Sequence, residues 1–261
     1  MSETSSPPLP ERYGIILFPG FQALDVFGPL DSLNMLGRER TISLSIIAAT
    51  LDPVSTRPPN VNDTRSPLFA ERVVPTHTFE NAPGDLEVLI VPGGQGTRSS
   101  ENMIPIHAFL RKTVPTLRYL LTVCTGSAVV AQTGLLDQRR ATTNKKAWGW
   151  VVKQGINVRW VGKARWVVDD PSASSLSAET TGTAGNPSET SVGKGGVAET
   201  AKHIPIWSSS GVAAGMDMIF AFIKQVYGKE SADGLANILE YERHEDASWD
   251  PFAKIWGVGG S

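Results

Sequence analysis

Two short runs in this chain are almost wholly apolar, and a Pro-Gly pair stops each one. Tyr13-Gly14-Ile15-Ile16-Leu17-Phe18 ends at Pro19-Gly20, and Leu86-Glu87-Val88-Leu89-Ile90-Val91 ends at Pro92-Gly93-Gly94. A strand with one wet face alternates apolar and polar residues. A run without alternation is buried on both faces, as in a parallel sheet covered by helices on either side. Ile42 to Ala49 and Tyr119 to Val123 read as further strands of this kind. Helical spacing fills the intervals. Asp25 to Leu36 carries Leu30, Leu33 and Leu36, with Gly37 as a stop, and Gly211 to Tyr227 carries Val212, Met216, Ile219, Phe220, Ile223 and Val226. Strands alternating with helices predict an α/β fold. Sites in such sheets gather beyond the carboxyl ends of the strands. Three of those ends bear residues with chemistry: the turn after Phe18, the glycine pair after Val91, and Cys124.

Cys124 is the only cysteine in the 261 residues. It follows the apolar run Tyr119-Leu120-Leu121-Thr122-Val123 and precedes Thr125-Gly126-Ser127-Ala128-Val129-Val130, a helix-like run ending near Gly134. A strand-to-helix turn exposes a nucleophile, and the first N–H groups of the helix favour a thiolate. The other reading is a small buried hydrophobe, the usual state of a free cysteine.

The remaining composition mainly excludes. A formal charge of −2 leaves no basic footprint for nucleic acid. One cysteine forms no internal disulfide, and Met1 to Arg12 is Ser/Pro-rich without a signal-peptide core. No apolar run reaches the length of a membrane span. The expectation is a cytoplasmic protein without nucleic-acid or membrane partners. No Cys/His/Asp cluster has metal-ligand spacing, and no phosphate loop or nucleotide fingerprint is present, so no cofactor is expected. Residues 1–12 read as a flexible tail and 13–261 as a single domain. Within it, 169–203 is rich in Ser, Thr, Ala and Gly and holds no aromatic residue. That stretch reads as a mobile surface insertion between strands Arg165 to Val168 and Ile204 to Ser208.

Several segments, in order, resemble those of the ThiJ/PfpI family of the class I glutamine amidotransferase-like superfamily. They are Phe18-Pro19-Gly20-Phe21-Gln22-Ala23-Leu24-Asp25-Val26-Phe27-Gly28-Pro29, Val91-Pro92-Gly93-Gly94-Gln95-Gly96, Thr122-Val123-Cys124-Thr125-Gly126-Ser127, Gly134-Leu135-Leu136 with Arg140-Ala141-Thr142-Thr143, and Ser209 to Asp217. The resemblance runs from about Tyr13 to Tyr241, apart from the insertion. It implies a three-layer α/β/α sandwich with a mostly parallel sheet, flavodoxin-like or class I amidotransferase-like, and a homodimer. An aspartate in the first motif and Cys-Thr at the turn are similar to the isonitrile hydratase branch. Asn144 stands where many relatives carry histidine, and none of His77, His107, His203 and His244 lies in a matching motif.

The chemistry implied is hydration of an isonitrile to an N-formamide. Cys124 would be the nucleophile, Asp25 the acid and base, and Thr125, Gly93 and Gly94 the stabilisers of developing charge. Asp25 also reads as a helix N-cap, and Gly93 and Gly94 as a plain tight turn. The segments expected to rim the site, Phe18 to Pro29, Pro92 to Gly96, Thr122 to Ser127 and Ser209 to Gly215, carry only Asp25 as a charged group, which predicts a small, largely apolar electrophile as substrate. Two alternatives stand beside this one: a related cysteine-dependent activity on a small carbonyl electrophile, and a non-enzymatic redox or small-molecule sensor.

Overall fold

The computed structural model describes residues 8–58, 66, 68–172 and 204–259. Its centre is a seven-stranded sheet in the order β10-β11-β7-β6-β1-β2-β5. The strands are β1 (Arg12–Ile16), β2 (Ser43–Ala48), β5 (His77–Thr78), β6 (Val88–Val91), β7 (Tyr119–Thr122), β10 (Trp166–Asp169) and β11 (Ile206–Ser209). Every neighbouring pair is parallel except β10 with β11. In register, Ile15 stands between Ile46 and Ile90, and Leu121 between Ile90 and Trp207. All of β6 is buried, as the unbroken apolar run requires. Two small ribbons stand apart: β3 (Val54–Ser55) with β4 (Arg72–Val73), and β8 (Arg140–Ala141) with β9 (Arg159–Trp160).

Helices flank the sheet in two groups, giving the expected α/β/α sandwich. One group is α1 (Ala23–Leu36), α5 (Val212–Tyr227) and α6 (Lys229–Ile238). The other is α2 (Ser100–Thr113) and α3 (Gly126–Ala131). Two shorter helices, α4 (Trp148–Val151) and α7 (Pro251–Ile255), complete the chain. Among the described residues, no helix is long and apolar enough to cross a membrane.

Some sequence expectations shift. The first helix starts at Ala23, with Gln22 in the cap position, so Asp25 lies in the first turn and is not the cap. Its fourth residue onward is Pro29, which lacks the N–H that the carbonyl of Asp25 would accept. The helix α2 was not expected. Its Ser99 side chain accepts from Asn102 N, and it buries Met103, Ile106, Phe109 and Leu110. Within the segment 1–12 expected as a flexible tail, residues 10 and 11 are held: the Tyr227 hydroxyl donates to Pro10 O at 2.5 Å, and Ser43 N to Glu11 O at 2.7 Å. Asp169 belongs to strand β10, where its carboxylate pairs with Arg139. Residues 173–203 of the expected insertion lie outside the described residues.

Candidate active site

Three parallel strands deliver the site from their carboxyl ends. β1 leads into Leu17–Gln22 and α1, β6 into Pro92–Gly96, and β7 into Val123–Thr125 and α3. The first two turns are laced together: Gln22 N donates to Gly93 O at 2.8 Å and Gly96 N to Gly20 O at 3.0 Å. The Asn102 side-chain amide ties both by donating to Pro19 O and Gly96 O.

Cys124 sits at the tip of the third turn with φ of 56°, in the left-handed region. A non-glycine residue there carries strain of roughly 1–3 kcal/mol, held only by surrounding structure. The holding groups are visible. The Thr143 hydroxyl donates to Cys124 O at 2.9 Å and the Ser127 hydroxyl to the same oxygen at 3.2 Å. Gly126 N closes the turn onto Val123 O at 2.9 Å.

Asp25 reaches the sulfur from α1. It is fully buried, and Gly93 N donates to its Oδ2 at 3.0 Å. Its Oδ1 is buried without a conventional hydrogen-bond partner, while the Cys124 thiol interacts with the carboxyl group. Burial raises the carboxyl from 3.8 to about 7, against the lowering effects of the Gly93 N–H and the thiol. The acid and base forms are therefore both populated near neutrality.

Burial also pushes the Cys124 thiol well above its usual value, and the neighbouring Asp25 adds to that rise. The Thr125 N–H and hydroxyl oppose it by hydrogen bonding to the sulfur. Desolvation and the adjacent carboxyl thus work against the thiolate that the helix N-terminus favours. The helix is only six residues long, and desolvation with an adjacent carboxyl outweighs it. Burial thus disfavours the charged form of both partners.

The two glycines take a different part from the one expected. Gly93 N is committed to Asp25, and Gly94 N donates to Thr125 Oγ1 at 3.0 Å. They therefore fix the acid and the threonine instead of facing developing charge. A Cβ on Gly93 would lie 2.5 Å from Thr125 N and 2.9 Å from Asp25 Oδ2, so only glycine allows the approach. Thr97 also donates to Thr125 Oγ1, at 3.3 Å. Cys124, Asp25, Thr125, Gly93 and Gly94 thus form one cluster.

Above the sulfur opens a cavity of about 500 Å³, whose walls include Gln22, Arg98, Cys124, Thr125, Asn144 and Lys146. Asn144 faces the cavity from the position where histidine was noted missing, and its Oδ1 accepts from Ala147 N at 3.0 Å. No described histidine lines it: His77 is on edge strand β5, His107 on α2, and His244 stacks on Trp249 at 4.2 Å between ring centroids. Sequence reasoning missed Arg98 and Lys146, which lie just outside the motif segments. Among the described residues, no group of three or more His, Cys, Asp or Glu side chains converges as metal ligands would.

A parallel sheet whose β7 turn carries a strained, buried cysteine beside a carboxyl from α1 defines a cysteine-centred α/β protein. The profile of the DJ-1/PfpI family matches residues 12–184, more than half of the chain, and the chain belongs to that family. It is 34% identical over 133 residues to an isonitrile hydratase of Pseudomonas putida, covering 51% of this chain and 52% of that protein. This match therefore spans about half the length of the relative. Among solved structures, it resembles a ThiJ/PfpI family protein from Pseudomonas syringae, with TM-score 0.62 and 21% identity, covering 93% of this chain and 84% of that one. It also resembles an AraC family transcriptional regulator from Pseudomonas putida, with TM-score 0.60 and 16% identity, covering 88% of this chain and 100% of that one. At such identities these two likenesses concern the fold alone.

Proposed function

We propose that this protein adds water to an isonitrile, giving an N-formamide. The observation that carries the reading is the buried pair of Cys124 and Asp25, with the carboxyl poised near pH 7 and no described histidine beside it. An isonitrile presents an electrophilic terminal carbon that must gain a nucleophile and a proton. Asp25 as carboxylate takes the thiol proton while the sulfur bonds to that carbon. The carboxyl then hands the proton to the same carbon, leaving a thioimidate, R–N=CH–S–Cys124. Water next adds to this carbon as Asp25 takes one of its protons and the nitrogen gains one. The C–S bond breaks, the N-formamide leaves, and the sulfur recovers its proton. One group near neutral pKa can serve in both directions, which a carboxyl at its ordinary value cannot do as an acid. Thr125 supports the sulfur whenever it carries negative charge.

The match to an isonitrile hydratase supports the same reading. A carbonyl electrophile would demand a donor for an oxyanion, and the two glycine N–H groups expected to serve are already engaged. A peroxide sensor works through a ready thiolate, whereas burial and the adjacent carboxyl disfavour the thiolate of Cys124. The test is incubation of purified protein with cyclohexyl isonitrile and detection of the N-formamide by mass spectrometry, beside Cys124→Ala. Formamide from the wild type and none from the variant is expected. No formamide with any of several isonitriles, or equal amounts from both proteins, would refute the proposal.

A further inference from the structure

The mouth of the cavity is positively charged. Arg98 and Lys146 line it, and no described lining residue carries a carboxylate. Among the described residues neither cation is in an ion pair. Instead each lies over an aromatic ring. The Arg98 guanidinium is 4.3 Å from the Trp150 ring centroid, and the Lys146 ammonium is 5.8 Å from that of Trp256. Stacking holds a cation in place while leaving its donors open to a ligand. Two unneutralised cations beside a cleft concentrate anions there. Arg98 and Cys124 line the same cavity. The cationic mouth and the nucleophile therefore belong to one electrostatic site. At about 500 Å³ the cavity is far larger than an isonitrile carbon and nitrogen need, which leaves room for a substituent.

We propose that Arg98 and Lys146 bind an anionic, carboxylate-sized substituent of the molecule that Cys124 attacks. Arg98 offers a planar fork suited to bidentate carboxylate binding, and Lys146 adds a point charge. The natural substrate is thus a small acid bearing a compact electrophile, and its electrophilic carbon is the part that meets the sulfur. This rests on the reading of the cavity as the isonitrile site, and it replaces the largely apolar, uncharged substrate expected from the rim segments alone.

Because Cys124 is the only cysteine, alkylation reads the site directly. Iodoacetate and iodoacetamide are nearly the same size, and each reacts as the thiolate forms a C–S bond and iodide leaves. Both need the same thiolate, so the ratio of their rates cancels the thiolate fraction and reports the charge preference. Relative to N-acetylcysteine at the same pH, the wild-type ratio of iodoacetate to iodoacetamide should be raised tenfold or more. Arg98→Gln should return most of that preference and Arg98→Gln with Lys146→Gln all of it, by intact mass. In parallel, kcat/KM is measured for isocyanoacetate and for methyl isocyanoacetate, and the charged substrate should lose more than the ester in both variants.

An alkylation ratio equal to that of N-acetylcysteine, unmoved by either substitution, overturns the anion-binding proposal even if both isonitriles are hydrated. A raised ratio that falls in the variants upholds it. If neither isonitrile is then hydrated, the hydratase reading fails and the anion site stands.

Discussion

Replacing Asp25 by asparagine tests whether the buried carboxyl holds its proton near neutrality. The fold raises the carboxyl from 3.8 to about 7. Between those values the folded protein keeps a proton that the unfolded chain has released, so the contribution of Asp25 to stability is complete below pH 3.8 and is lost as pH rises through about 7. At ~1.4 kcal/mol per pH unit, that interval from 3.8 to about 7 amounts to about 4 kcal/mol. Asparagine does not titrate, nearly matches the volume, and keeps an oxygen for the Gly93 N–H. The stability of Asp25→Asn relative to wild type should therefore climb by about 2–3 kcal/mol between about pH 5 and about pH 8, and then level off. Urea unfolding at several pH values and one protein concentration measures it. The same variant should lose turnover by orders of magnitude, since it can neither give nor take the proton. A stability difference that stays flat over that range, or shrinks as pH rises, would refute the raised carboxyl. Full activity in Asp25→Asn would refute its catalytic part.

Thr125→Val removes the hydroxyl that opposes the rise of the thiol, so the rate of Cys124 alkylation by iodoacetamide near pH 8 should fall by roughly tenfold; an unchanged rate would show that the hydroxyl does not act on the sulfur. Gly126→Ala places a Cβ 2.1 Å from Val91 O, a backbone atom that cannot yield without moving β6. It should cost about 2–4 kcal/mol or prevent folding, read from melting temperature and soluble yield. Lys145 and Asp250 form an ion pair at 3.2 Å with both side chains almost wholly buried, so Lys145→Met strands a buried carboxylate and should cost about 3–5 kcal/mol in urea unfolding. A homodimer is expected at micromolar concentration, and a monomeric mass by light scattering would contradict it.

The sheet was legible because strands buried on both faces leave unbroken apolar runs: Tyr13–Phe18 overlaps all of β1 but Arg12, and Leu86–Val91 contains β6. Helix α2 was legible in principle from Met103, Ile106 and Leu110, but polar residues and Pro105 hide that spacing from a reading keyed to apolar density. At the site, Cys124 and the glycine pair were readable because each stands at a strand end, whereas Asp25 and Thr125 were singled out by the resemblance to the ThiJ/PfpI motifs. Their states were not readable. A helix N-terminus after Cys124 is visible in sequence, whereas the burial that defeats it depends on everything packed around the turn. The donors of Gly93 and Gly94 were readable as backbone groups, yet their partners, Asp25 and Thr125, follow from the approach of separate segments.

Arg98 and Lys146 escaped for a related reason. Motif segments follow the strand ends, but a cavity wall also includes whatever the following turns place there. Arg98 lies two residues past Gly96 and Lys146 two past Asn144, and the rings of Trp150 and Trp256 fix where their charges point. The lack of Arg and Lys within the rim segments is therefore a statement about the floor of the site. The proposed preference for an acidic substituent belongs to the mouth, where two cations stand over the thiol and its buried acid.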